Sequence, residues 1–123
     1  MDAERPHPES VSVELSGCTE EDARAVFDAL CARFPSDRHT GDETRRYDAV
    51  RPTVWLGTFD VAAGRAGEGG PAPLGASVEA DAQGGYWAVE RLRVTLDSLF
   101  TVRDLSTASG DQERELHVRL ESR

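Results

Sequence analysis

Three stretches of this chain alternate apolar and polar residues with a period of two, and that pattern most constrains the fold. Val11, Val13 and Leu15 alternate with Ser12, Glu14 and Ser16. Ala76, Val78, Ala80 and Ala82 alternate with Ser77, Glu79 and Asp81. Leu116, Val118 and Leu120 alternate with Glu115, His117, Arg119 and Glu121. Side chains of a strand point to opposite faces in turn, so each stretch predicts a strand with one face on a core and one in water. A fourth segment, Thr53–Val61, is rich in β-branched and aromatic residues. It also predicts a strand, apolar on both faces, and Pro52 before it points to a sheet edge.

Two segments carry helical spacing instead. Ala23, Val26, Phe27, Leu30 and Phe34 recur at helical intervals, with Thr19 as an N-cap, Glu20, Glu21 and Asp22 in the first turn, and Pro35 as the stop. After Gly84-Gly85, YWAVERLRVTL could pair back as a strand. As a helix it places Ala88, Val89, Leu92, Leu96, Leu99 and Phe100 on one stripe, so a helix is predicted. Residues 35–52 form a long polar stretch that could hold a short edge strand near Arg45–Val50. Residues 62–75 read as a Gly/Pro connector and 101–112 as a polar loop.

The predicted order is β-α-β-β-α-β. It corresponds to an α+β, ferredoxin-like sandwich: a four-stranded antiparallel sheet with two helices on one face. The chain's 123 residues suit one domain, expected over 10–123 after a disordered lead-in at 1–9. No internal repeat at solenoid spacing is visible.

Composition narrows the chemistry. The chain has no Lys, Asn or Ile, so all 14 basic residues are Arg; these absences match AT-rich codons and point to a high-GC bacterium. Lysine-based nucleophiles and the P-loop lysine are excluded. With 23 acidic residues and a net charge of −9, nucleic acid and anionic membranes are not expected partners. There is no signal-peptide pattern, and Cys18 and Cys31 form no C-x-x-C pair, so a cytoplasmic protein with reduced thiols is expected. Cys18 precedes a helix but has an acidic turn after it, which opposes thiolate formation; Cys31 reads as core.

No catalytic, metal or cofactor motif stands out. In a ferredoxin-like sheet the first strand lies between the third and the fourth. The polar candidates Glu14, Glu79, Asp81, His117 and Arg119 should therefore share one sheet face, where carboxylates beside an imidazole could bind a metal or exchange a proton. An open sheet face is wet, so a solvated face is the expected reading, and these residues are the best polar candidates beside it. The apolar candidates are Val54 and Leu56, on the second strand, and Trp87 and Val94, opposite the core stripe of the second helix, with Arg91 and Ser98 flanking them. The expectation is a small acidic, non-catalytic interaction or regulatory module without cofactor, a homodimer through its sheet that could also bind a basic protein. The alternative is a small-molecule-binding domain or small enzyme with Trp55, Phe59, Tyr86 and Trp87 lining a pocket between sheet and helices.

Overall fold

The computed structural model describes residues 10–36, 45–48, 51–62 and 73–123. The lead-in at 1–9, the 37–43 loop and most of the 62–75 connector lie outside them. The elements run β1 (Ser10–Ser16), α1 (Glu20–Cys31), β2 (Arg45–Asp48), β3 (Arg51–Asp60), β4 (Val78–Gly85), α2 (Tyr86–Leu99), β5 (Thr101–Ser109) and β6 (Glu113–Glu121). Together they form an α+β fold with one antiparallel sheet, ordered β2-β3-β1-β4-β6-β5.

The four-stranded ferredoxin-like arrangement is therefore corrected to six strands in a different order. β1 lies between β3 and β4, while β6 pairs with β4. The 101–112 segment, expected to be a loop, is mostly strand β5. Its residues are exposed on both faces, all but Val102, so they carry no alternation to read. The edge strand anticipated near Arg45 is β2. It displaces β3 from the edge that Pro52 suggested. Pro52 is tolerated there because it lies beyond the residues that pair with β1 and opposite a register shift in β2.

The topology is a tandem. β1 and β2 run in the same direction with β3 between them, and β4 and β5 run in the same direction with β6 between them. Both halves are thus split β-α-β units, β1-α1-β2-β3 and β4-α2-β5-β6. They meet at the antiparallel β1–β4 pair, as if related by a two-fold axis normal to the sheet. Leu15 faces Trp55 in the first half where Ala82 faces Leu116 in the second; Val11 faces Phe59 where Val78 faces Leu120.

Both helices cover the same face. Val11, Val13 and Leu15 of β1, Trp55 and Phe59 of β3, Val78, Ala80 and Ala82 of β4, and Leu116, Val118 and Leu120 of β6 are buried in one core with Phe27 and Leu30 of α1 and Leu92 and Leu96 of α2. Phe27 and Phe59 stack with ring centroids 6.0 Å apart. Gly17, at φ 65, turns the chain from β1 toward α1 in a conformation that suits glycine. The Thr19 hydroxyl then accepts the Asp22 amide at 3.1 Å, as the capping pattern predicts. Asp22, only 7% exposed, accepts the amides of Gly75 and Ala76 at 2.9 and 3.1 Å and so ties the start of α1 to the segment entering β4.

Candidate functional site

The face of the sheet opposite the helices carries the polar half of every alternation, and among the described residues no helix lies over it. Its side chains fall into rows across the strands. One row runs Leu56, Glu14, Asp81, His117 and Ser106, from β3 to β5; its neighbour runs Thr58, Ser12, Gln83, Glu115 and Ala108. A groove of ≈ 370 Å³ lies over the first part of both rows, lined by Ser12, Glu14, Leu56, Thr58, Asp81, Gln83 and Glu115, with Val13 and Gly57 contributing at its floor.

Charge is unevenly distributed across this face. Glu14 and Asp81 are directly opposed on adjacent strands. Among the described residues, neither Glu14 nor Glu115 has an ion-pair partner. Among the described side chains, the basic groups of this face lie farther toward β5 and are engaged. His117 Nε2 is 3.2 Å from Glu79 and its Nδ1 3.9 Å from Asp81; Arg119 is 3.8 Å from Glu79, and Arg103 is 3.1 Å from Glu121. Among the described side chains the groove is therefore the more anionic part of the face.

Four of the five polar candidates, Glu79, Asp81, His117 and Arg119, come together in one network. Glu14 does not reach His117: β4 stands between β1 and β6, so Glu14 neighbours Asp81 instead. Gln83 and Thr58 escape the sequence reading. The apolar–polar alternation stops at Ala82, although β4 runs on to Gly85, and the composition of β3 does not distinguish its two faces. No group of three or more His, Cys, Asp or Glu residues with metal-holding geometry occurs among the described residues.

The apolar candidates divide between opposite sides of the molecule. Val54 is half-buried and Leu56 is 42% exposed on the open sheet face, whereas Trp87 and Val94 are 55% and 60% exposed on α2. The Arg91 guanidinium stacks over the Trp87 ring at 5.4 Å and donates through Nε to the Val61 carbonyl at 2.9 Å. The four aromatic residues considered for a pocket under the helices do not converge. Trp55 and Phe59 fill the core, and Tyr86 and Trp87 face outward.

Neither cysteine is in a disulfide, and both are half-buried. Burial, and then the charge of Asp22, push the Cys18 thiol up to about 11. That is the wrong direction for a nucleophile. No described helix is long and apolar enough to cross a membrane. Compared with known proteins, the chain matches no family model, no curated protein and no solved structure.

Proposed function

We propose that this protein is a small non-catalytic interaction module whose open sheet face receives a basic partner at the groove beside Glu14 and Asp81. The observation that carries this reading is the direct opposition of Glu14 and Asp81 in the middle of the sheet. Like charges placed directly across a strand pair are unfavourable. Among the described side chains, Arg119 and Arg103 are already shared with Glu79 and Glu121, His117 stands 3.9 Å from Asp81 but closer to Glu79, and a third carboxylate, Glu115, lines the same groove. A guanidinium or ammonium group seated there removes the repulsion, while Ser12, Thr58 and Gln83 offer hydrogen bonds and Leu56 offers a place for an aliphatic stem.

A second copy placed face to face is the weaker occupant. It would bury Val54 and Leu56 but would add the acidic groove of one molecule to that of the other. The small-molecule alternative is the weaker reading, because Trp55 and Phe59, two of the residues expected to line its pocket, are packed into the core.

The test is calorimetric titration with an oligo-arginine peptide at several salt concentrations. Affinity should fall steeply with salt, and Glu14→Gln/Asp81→Asn should weaken it about tenfold, ~1.4 kcal/mol. Glu20→Gln/Glu21→Gln, an equal change of charge on α1, is the control and should leave binding near wild type. A flat salt response, or equal losses from both double variants, overturns the reading.

A further inference from the structure

We infer that β5 is a self-association edge, pairing antiparallel with β5 of a second copy of this chain to continue the sheet from one molecule into the next. The proposal concerns a different surface and a different partner from the groove and does not depend on it.

An edge strand presents a row of backbone donors and acceptors that can template another strand, and proteins commonly blunt such edges. The two edges of this sheet are unequal. β2 has four residues and a register shift. β5 has nine residues, no proline, and a run of Thr, Val, Leu, Ser and Ala broken only by Arg103 and Asp104. Its charges cancel in a molecule that carries −9 overall, so two copies can approach here without the repulsion acting elsewhere. The strand is also held in place. Asp104 accepts from Arg93 of α2 at 2.9 Å on one face, and Arg103 bonds Glu121 of β6 at 3.1 Å on the other.

The bulge in β5 selects one register. Arg103, Ser106 and Ala108 share the open face with their β6 partners Arg119, His117 and Glu115. Val102, Asp104, Thr107 and Ser109 lie on the helix face opposite Leu120, Val118, Leu116 and Arg114. Leu105 is the extra residue at the register shift between Asp104 and Ser106; two bulge residues oppose one on the partner strand, which sets Leu105 with Ser106 against His117 on the open face. A two-fold axis normal to the sheet keeps the faces, so directly opposed residues of the two copies must come from the same face. Setting Leu105 opposite Ser106 of the second copy satisfies this along the strand. Val102 then meets Ser109, Arg103 meets Ala108 and Asp104 meets Thr107. Shifting the register by two residues either way puts a helix-face residue opposite an open-face one at its centre.

In the selected register no charge faces its like. The two Leu105 side chains, each 42% exposed in the single chain, come side by side at the axis. The helices leave room. α2 packs across β4, β6 and β5, so two α2 axes would lie about three strand spacings apart. That is ~14 Å, wider than ordinary helix contact.

The experiment is light scattering of the full chain from about 1 to about 100 µM, the range in which a modest homodimer assembles. The wild type should approach twice 13.4 kDa, and Leu105→Lys should return it to monomer with an unchanged circular dichroism spectrum. Leu56→Lys, on the sheet face, should stay dimeric. Arg103→Cys/Ala108→Cys should oxidise to a covalent dimer if the register is right. A wild type that stays monomeric, a dimeric Leu105→Lys, or a dimer dissolved by Leu56→Lys instead overturns the edge. A wild-type dimer whose cysteine pair fails to cross-link overturns the register.

Discussion

Replacing Asp22 with alanine tests how the two halves of the chain are tied together. Its carboxylate is nearly buried and accepts two backbone amides, from Gly75 and Ala76, more than fifty positions away in the chain. Removing it leaves both donors without their acceptor. An unsatisfied buried donor costs ~1–3 kcal/mol. Both amides are only partly buried, so water can recover some of that, and the net loss should be about 2–4 kcal/mol. Asp22→Asn should fall between, because the amide oxygen can accept one bond while its NH₂ group faces the other donor. Urea denaturation followed by far-ultraviolet circular dichroism reads the change as a shift in midpoint at constant slope. In heat the alanine variant should melt roughly 8–20 °C lower. A loss under ~0.5 kcal/mol for Asp22→Ala would refute the reasoning, since surface substitutions without specific contacts fall within that range.

Three further outcomes follow from the packing. Gly84→Ala should destabilise by about 1–3 kcal/mol in the same urea assay, because an added Cβ would sit 2.8 Å from the Ser10 carbonyl oxygen, inside the β1–β4 pair. Phe59→Ala should cost about 3–5 kcal/mol, as it empties a fully buried site stacked on Phe27. In a Cys31→Ser background, Cys18 should alkylate far more slowly than a free thiol at pH 8. Its folded value of about 11 exceeds the ordinary 9.0, so the stability held by the neutral thiol is complete below pH 9 and is lost as pH rises through 11. Fast alkylation by iodoacetamide at pH 8 would contradict this.

How much of the molecule could be read from the chain depended on which elements have one wet and one dry face. β1, β4 and β6 do, and their alternation located them within a few residues; α1 and α2 announced themselves through their apolar stripes and the Thr19 cap. β5 has no dry face apart from Val102, so nothing in its composition separates it from a loop. Without β5 and with β2 left optional, the remaining elements spelled out a ferredoxin-like order. Strand order is not written in periodicity at all: the placement of β6 against β4 rather than β1 depends on where the chain crosses the sheet. Hence the Glu79–Asp81–His117–Arg119 grouping was legible from side-chain faces. The Glu14–Asp81 opposition was not, because it depends on register. The tandem halves were equally hidden, since equivalent positions such as Trp55 and Leu116 share only their apolar character.

The tandem topology also bears on the order in which the molecule folds. Within the second half, β5 and β6 are joined by a tight turn in which the Gly110 amide donates to the Glu113 carbonyl, and α2 follows β4 without a connecting loop. These contacts close short loops and cost little chain entropy. The central pair is another matter: Ser16 must find Glu79, and Val11 must find Gly84, across most of the chain's midsection. Long-range pairing of this kind slows folding. The C-terminal unit is thus expected to act as the nucleus on which β1 and β3 later condense, with the β1–β4 seam closing last. Substitutions in the β5–β6 hairpin should then lower the folding rate, while those at the seam should chiefly raise the unfolding rate.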